Sequence, residues 1–216
     1  MRKTIRRIQI FLLLVAVVCF GNVAMSADFG LSPEKKADTV LFESDAKLEF
    51  IEGVTIDIIG GFMVDPDNVS VISGIVRCDL RTLETGISTR DGHMRDRHLH
   101  TDKFPYAFFE LTSQVGLPKT LEEGKLYNTA GVGKFFIHGV SREIHPQLKI
   151  RRKNIGGGES ITVKATFQIR LDDFEIPRPK ALLFKLAEVI LVDVTFTAYR
   201  NVKSDNIVLP DWKVLK

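Results

Sequence analysis

An uninterrupted alternation over residues 161–171 constrains the fold more than any other feature of the chain. Apolar side chains occupy every second position from Ile161 to Leu171, and the positions between them hold Thr, Lys, Gln or Arg. This period of two predicts a β-strand with one buried and one solvated face. At about 3.3 Å per residue the strand is roughly 36 Å long. Such length is typical of strands that cross a whole barrel or sandwich.

Shorter alternating patterns recur along the chain and predict about eight strands, spaced by roughly 8 to 15 residues. The segment 91–101 lacks alternation and is rich in charge, so we expect a short helical insert there. The whole pattern indicates an all-β domain, either a closed antiparallel barrel or a sandwich. A barrel is favoured because closure removes the strand edges that a sheet of this length must otherwise protect.

Residues 1–27 have the order of a secretory signal peptide. Four basic residues near the start are followed by an apolar run and then by small residues up to Ala27. We expect cleavage after this segment and a periplasmic or secreted protein, with an uncleaved anchor as the alternative. The mature chain is then divided into a loose arm over 28–38, a barrel over 39–200 and a tail over 201–216.

The charge of the mature chain does not indicate a nucleic-acid partner. Cleavage would remove four of the 30 basic residues and no acidic residue, leaving 26 basic against 27 acidic side chains and a formal charge of −1. That balance gives no reason to expect a nucleic-acid partner.

The interior of the barrel is predicted to be apolar. The chain contains fifteen Phe but only three Tyr and one Trp. Because Phe has no polar atom, this composition is consistent with either an apolar cavity lining or ordinary core packing. Cys78, the only cysteine after the leader, shares its face of a strand with apolar residues. We expect a buried thiol without catalytic activity.

Three ordered blocks of sequence resemble one known family. Residues 85–109 read TGIxxRDxHMRxxxLxxDKFPxxxF, residues 133–142 read GxxxIHGVxR, and residues 171–179 read LxDFxIxRP. These blocks are similar to the signatures of the YceI-like family, and the resemblance covers about residues 38–200. It implies a secreted or periplasmic lipocalin-like barrel that encloses a polyisoprenoid or similar long amphiphile, acts without catalysis and needs no cofactor or metal.

A lipid tail of this kind would lie among inward-facing apolar side chains. At about 25 cal/mol per Å² of buried apolar surface, each prenyl unit would contribute on the order of 1 to 2 kcal/mol before ordering costs. Several units therefore suffice for micromolar binding. The predicted lining residues are Phe50, Phe109, Phe135, Ile137, Phe167, Ile169 and Phe196.

Basic residues of the insert are the candidates for a polar head group. Guanidinium groups match the geometry of phosphate, so we expect a phosphate or quinone head near one mouth of the barrel. A solvated charged face is the alternative for each of these side chains. The predicted head-group residues are Arg90, Arg95, Arg97 and Lys103.

Two other classes of function stay open at this point. A metal-dependent enzyme would use His93, His98 and His100, although their spacing is not that of a helical zinc motif. A stress-related structural protein would have the same fold with an incidental cavity. The sequence also leaves open transient contact with a membrane and formation of a homodimer.

Overall fold

A computed structural model of the chain describes residues 29–32, 38–69, 72–155, 158–178 and 186–202. The predicted signal peptide and nearly all of the predicted C-terminal tail lie outside these residues.

Eleven antiparallel strands are found in the described part of the chain, and all belong to one sheet. They are β1 Phe29–Leu31, β2 Thr39–Asp45, β3 Phe50–Thr55, β4 Ile58–Val64, β5 Ile72–Asp79, β6 Tyr106–Val115, β7 Leu126–Ile137, β8 Val140–Ile144, β9 Gln147–Ile155, β10 Gly158–Arg170 and β11 Val189–Arg200.

The sheet closes into a barrel because β1 pairs with both β4 and β11. Three of the walls each consist of two shorter strands. β1 and β2 both pair with β11, β3 leads directly into β4, and β8 and β9 both pair with β7. Counted in this way, the barrel has eight walls in the order β11, β1/β2, β3/β4, β5, β6, β7, β8/β9, β10. The predicted eight-stranded antiparallel barrel is therefore confirmed.

The long alternating strand predicted at 161–171 is β10, which pairs with β9 on one side and with β11 on the other. Ile161, Val163, Ala165 and Ile169 on its predicted inner face are all buried. Burial of one face against the barrel interior is what the period of two requires.

A helical insert lies between β5 and β6 and confirms the predicted one. It consists of the short helix α1, Ser88–His93, which continues as a wider π-helical turn over Met94–Leu99. His100 ends it in the left-handed conformation, with φ 45°. Among the described residues no helix is long and apolar enough to cross a membrane.

One half of the barrel interior is packed with side chains. This cluster includes Phe29, Phe62, Leu121, Ile161 and Ala198, and the Phe29 and Phe62 rings stack with centroids 5.4 Å apart. Beside this cluster, the Glu159 carboxylate forms ion pairs with Arg152, at 2.5 Å, and with Arg200, whose guanidinium lies over the Phe29 ring. We call this half the packed end.

The start of the described chain differs from the predicted loose arm over 28–38. Phe29–Leu31 is the strand that closes the barrel, and both Phe29 and Leu31 are buried in the packed end. Asp38 is also buried, and its carboxylate accepts a hydrogen bond from the Thr197 backbone N–H at 2.9 Å. Three residues are too few to show a periodic pattern, so this strand has no clear signature in the sequence.

Candidate ligand-binding cavity

The other half of the barrel is hollow. A cavity of about 410 Å³ lies between the packed end and the helical insert. Most of its wall is apolar and comes from strands on every side, including Val40 and Phe42 of β2, Val76 and Cys78 of β5, and Ile190 of β11. Its size falls in the range of about 300 to 1,000 Å³ that is usual for small-molecule sites.

Six of the seven predicted lining residues lie in the wall of this cavity. They are Phe109, Phe135, Ile137, Phe167, Ile169 and Phe196. The Phe135 ring of β7 meets the Phe167 ring of β10 edge to face at 5.2 Å, and both line the same cavity. Contact of these side chains with a ligand stays a prediction.

The prediction that Phe50 lines the interior is wrong. Its side chain is 57% exposed, whereas Ile51 is buried and lines the cavity. The inward positions of β3 are thus Ile51, Gly53 and Thr55, one residue out of step with the predicted face. The inward position 53 is a glycine because a Cβ there would lie 2.2 Å from the Phe42 ring.

Polar residues of the wall are grouped at the end that the helical insert covers. They come from the β2–β3 hairpin, the segment before α1, and the insert. Thr89 and His93 are exposed to solvent while they also line the cavity, so the cavity reaches solvent here. We call this end the mouth. Its polar residues are Glu49, Thr85, Thr89, Arg90, His93 and His98.

Arg90 lies at the centre of a hydrogen-bond network in the mouth. Its guanidinium donates to Glu49 Oε1 at 2.9 Å, to Thr85 Oγ1 at 2.8 Å and to the Thr85 carbonyl at 3.0 Å. The buried Asp91 carboxylate accepts hydrogen bonds from the backbone N–H and the hydroxyl of Thr85. The network ties the insert to the β2–β3 hairpin and holds one cation in the cavity wall.

The other three predicted head-group residues do not line the cavity. Arg95 donates to the backbone carbonyls of Arg81 and Leu83, and Arg97 is exposed to solvent. Lys103 lies over the Phe104 ring, in a separate surface depression. The prediction that four cations meet at one mouth is therefore wrong, because the insert points its basic residues in different directions.

The three histidines of the enzyme hypothesis are divided between two places. His93 and His98 line the mouth, and His98 Nδ1 lies 2.6 Å from the Pro177 carbonyl. His100 instead bonds His138, with 2.7 Å between His100 Nδ1 and His138 Nε2. Within the described residues, no group of three or more His, Cys, Asp or Glu side chains is arranged to hold a metal ion.

The hydrogen-bond partners of His138 fix which of its ring nitrogens carries the proton. Nδ1 lies 3.1 Å from the Phe174 carbonyl, which can only accept, so Nδ1 is protonated. When neutral, the ring therefore accepts a hydrogen bond at Nε2 from the Nδ1–H of His100. Burial lowers the pKa of His138, and the nearby His100 acts in the same direction. The pair joins the segment after the insert to the β7–β8 turn.

Cys78 lines the cavity as a buried thiol, as the sequence predicts. Burial raises the pKa of Cys78 to about 12, and the nearby carboxylates of Asp79 and Asp57 act in the same direction. A thiol that stays protonated at neutral pH is a poor nucleophile. Its part in the cavity is that of a small apolar side chain.

Sequence reasoning missed several residues of the cavity wall. Val40 and Phe42 alternate on the inner face of β2, so their period of two was a usable signal. Glu49 had no such signal because it lies in a turn between β2 and β3, where no periodic pattern reports direction, and its partner Arg90 is 41 residues away.

The fold and the cavity define the class of the protein: an eight-walled, lipocalin-like antiparallel barrel with a hollow apolar interior. The model of the YceI-like domain matches residues 33–198. The chain therefore belongs to the YceI-like family.

Known proteins of similar sequence and fold agree with this assignment. A UPF0312 protein of Vibrio cholerae serotype O1 is 26% identical over 184 residues, which are 82% of this chain and 89% of the relative. A polyisoprenoid binding domain from Saccharophagus degradans, implicated in plant cell wall breakdown, superimposes with a TM-score of 0.66 at 20% identity, covering 81% of this chain and 99% of that one.

Two further structures share the fold. BcnA of Burkholderia cenocepacia has a TM-score of 0.60 at 14% identity, over 74% of this chain and 95% of that one. The YCEI protein of Campylobacter jejuni has a TM-score of 0.60 at 19% identity, over 70% and 86% of the two chains.

Proposed function

We propose that the protein binds one polyisoprenoid or similar long amphiphilic lipid inside the barrel and carries or sequesters it without catalysis. The observation that supports this most strongly is the 410 Å³ cavity, whose wall is apolar except at the mouth. Such a wall removes a hydrocarbon tail from water and leaves a polar head at the mouth. The Saccharophagus degradans domain of the same fold is a polyisoprenoid binding domain, which supports an isoprenoid tail.

Arg90 is the proposed contact for a phosphate or other anionic head group. It is the one arginine of the predicted head-group set in the cavity wall, and Glu49 and Thr85 hold its guanidinium in place. A guanidinium held in this way can offer N–H donors to phosphate oxygens. Its carboxylate partner partly offsets the positive charge, so we expect a moderate preference for an anionic head.

Titration of the delipidated protein tests both parts of the proposal. Geranylgeraniol is expected to bind with a negative heat-capacity change, because apolar surface is buried on binding. Geranylgeranyl phosphate is expected to bind about tenfold more tightly than the alcohol, since a charged hydrogen bond contributes about 1.5 kcal/mol or more. Arg90→Gln should remove that difference and keep the binding of geranylgeraniol. Absence of heat with both ligands at two temperatures about 20 °C apart would refute lipid binding, because a heat-capacity change makes the binding enthalpy differ between them.

We further propose that the mature protein is periplasmic or secreted and approaches a membrane with its mouth. The order of residues 1–27 supports export. Exposed apolar side chains lie beside the mouth: Leu48 and Phe50, 71% and 57% exposed, flank Glu49 in sequence, and Ile87, 50% exposed, precedes α1. Contact with a bilayer would let a lipid pass into the cavity without crossing water. Formation of a homodimer stays a prediction.

A further inference from the structure

The barrel interior contains a second, smaller chamber. It has a volume of about 70 Å³ and lies among the apolar side chains of the packed end, including Phe62, Leu121 and Ile161. Four residues line both this chamber and the large cavity: Val76, Phe109, Ala165 and Phe196. These four side chains form the boundary between the two spaces, and we call them the partition.

The partition spans the barrel because its members come from opposite walls. In the closed order of eight walls, β6 with Phe109 lies four walls from β11 with Phe196, and β5 with Val76 lies four walls from β10 with Ala165. Val76 is also directly opposite Phe109 in the β5–β6 register. The two aromatic rings therefore supply most of the bulk, while Val76 and Ala165 are smaller parts of the same layer.

The two rings are held differently. Phe196 is buried, and its ring lies 6.4 Å from the Phe62 ring, which in turn stacks on Phe29. Phe109 is less buried and lies against the backbone of β7 at Gly133, where a Cβ would come within 2.6 Å of its ring. An aromatic stack thus fixes Phe196, whereas a glycine provides the space that Phe109 occupies.

We propose that Phe109, opposite Phe196, sets the longest isoprenoid tail that the barrel accepts. This inference rests on the proposed function. A tail that enters at the mouth fills the large cavity first and then meets the two rings. Further prenyl units gain no buried surface unless the Phe109 ring is removed, because the small chamber lies behind it. Removing the ring joins the two chambers into one longer tunnel.

Three proteins test the inference: the wild type, Phe109→Ala and Phe167→Ala. Phe167 is the matched control because its ring lines the large cavity but not the small chamber. Each delipidated protein is titrated with geraniol, farnesol, geranylgeraniol and longer all-trans polyprenols, and binding is measured by native mass spectrometry. Affinity is expected to rise about tenfold per prenyl unit and then to reach a plateau.

The position of that plateau decides the outcome. Phe109→Ala is expected to move it to a tail at least one prenyl unit longer than in the wild type and in Phe167→Ala. The same plateau in Phe109→Ala and Phe167→Ala would overturn the inference and leave lipid binding intact. No binding of any polyprenol by all three proteins would instead refute the proposed function. Phe109→Leu, which keeps an apolar side chain in the layer, gives a smaller shift in the same direction and serves if the alanine variant does not fold.

Discussion

Replacement of Ala107 by phenylalanine places an aromatic ring inside the large cavity. Ala107 is a buried residue of β6, lines the cavity and lies directly opposite Cys78 in the β5–β6 register. Its Cβ therefore points into open space rather than into packed side chains. The substitution tests whether the large cavity is empty and whether it is the lipid-binding site.

The cavity volume gives the magnitude of the expected effect. An empty apolar cavity costs about 24 cal/mol per Å³. Filling the 410 Å³ space with lipid could therefore gain about 10 kcal/mol of binding free energy. This is a ceiling, equivalent to a dissociation constant of roughly 50 nM, and ordering costs bring the expected value closer to micromolar. A lipid at about 100 times its dissociation constant then stabilises the fold by about 2.7 kcal/mol. For a domain of this size that raises Tm by about 5 to 10 °C.

Thermal unfolding of the delipidated protein, with and without geranylgeraniol, is the assay. The wild type is expected to show the full rise in Tm. Ala107→Phe should unfold within about 3 °C of the lipid-free wild type, because its ring enters empty space, and should lose most of the rise with lipid. A matched control is Ala198→Phe in the packed end, where the same ring should cost about 1 to 3 kcal/mol.

Two results would refute this reasoning. If Ala107→Phe is destabilised as much as Ala198→Phe, the space around Ala107 is filled by the protein itself. If Ala107→Phe keeps the full rise in Tm with lipid, the lipid binds somewhere other than this cavity.

Two further predictions concern pH and membranes. Burial lowers the folded-state pKa of His138 below its unfolded value of 6.5, so its contribution to stability is complete above pH 6.5 and disappears as pH falls through the lower folded value. His138→Asn is the variant of choice because asparagine tolerates the left-handed backbone of φ 54° at this position. Between about pH 7.5 and about pH 5, its free energy of urea unfolding should fall by less than that of the wild type. Equal losses of stability in the two proteins would contradict this. The double variant Leu48→Ser and Phe50→Ser should co-sediment with phospholipid vesicles at least several-fold less than the wild type. Its affinity for geranylgeraniol should be unchanged. Sedimentation equal to that of the wild type would rule out this surface as the membrane contact.

The strands and most of the cavity wall could be predicted because period-2 alternation reports burial directly. In β10 and β11 polar residues mark the outer face, so Phe167, Ile169 and Phe196 were placed correctly. In β3 both faces carry apolar side chains, Phe50 and Val54 outside and Ile51 inside. The pattern there contains no information on register, and a shift of one residue exchanged the two faces.

The mouth could be predicted only in part because charge in a sequence does not specify direction. Arg90 and Arg95 belong to the same sequence block but point in different directions. Arg90 donates to Glu49 and Thr85 in the cavity wall. Arg95 donates to the backbone carbonyls of Arg81 and Leu83. These partners are up to 41 residues away in the chain. Only the folded barrel brings them together.

The native mass spectrum of the protein released from the periplasm without detergent or organic solvent tests the central claim most directly. We predict a chain that lacks residues 1–27 and carries one non-covalent lipid, which collisional activation releases as an isoprenoid. A spectrum that contains only the bare chain, or the chain with a metal ion in place of a lipid, would contradict the account.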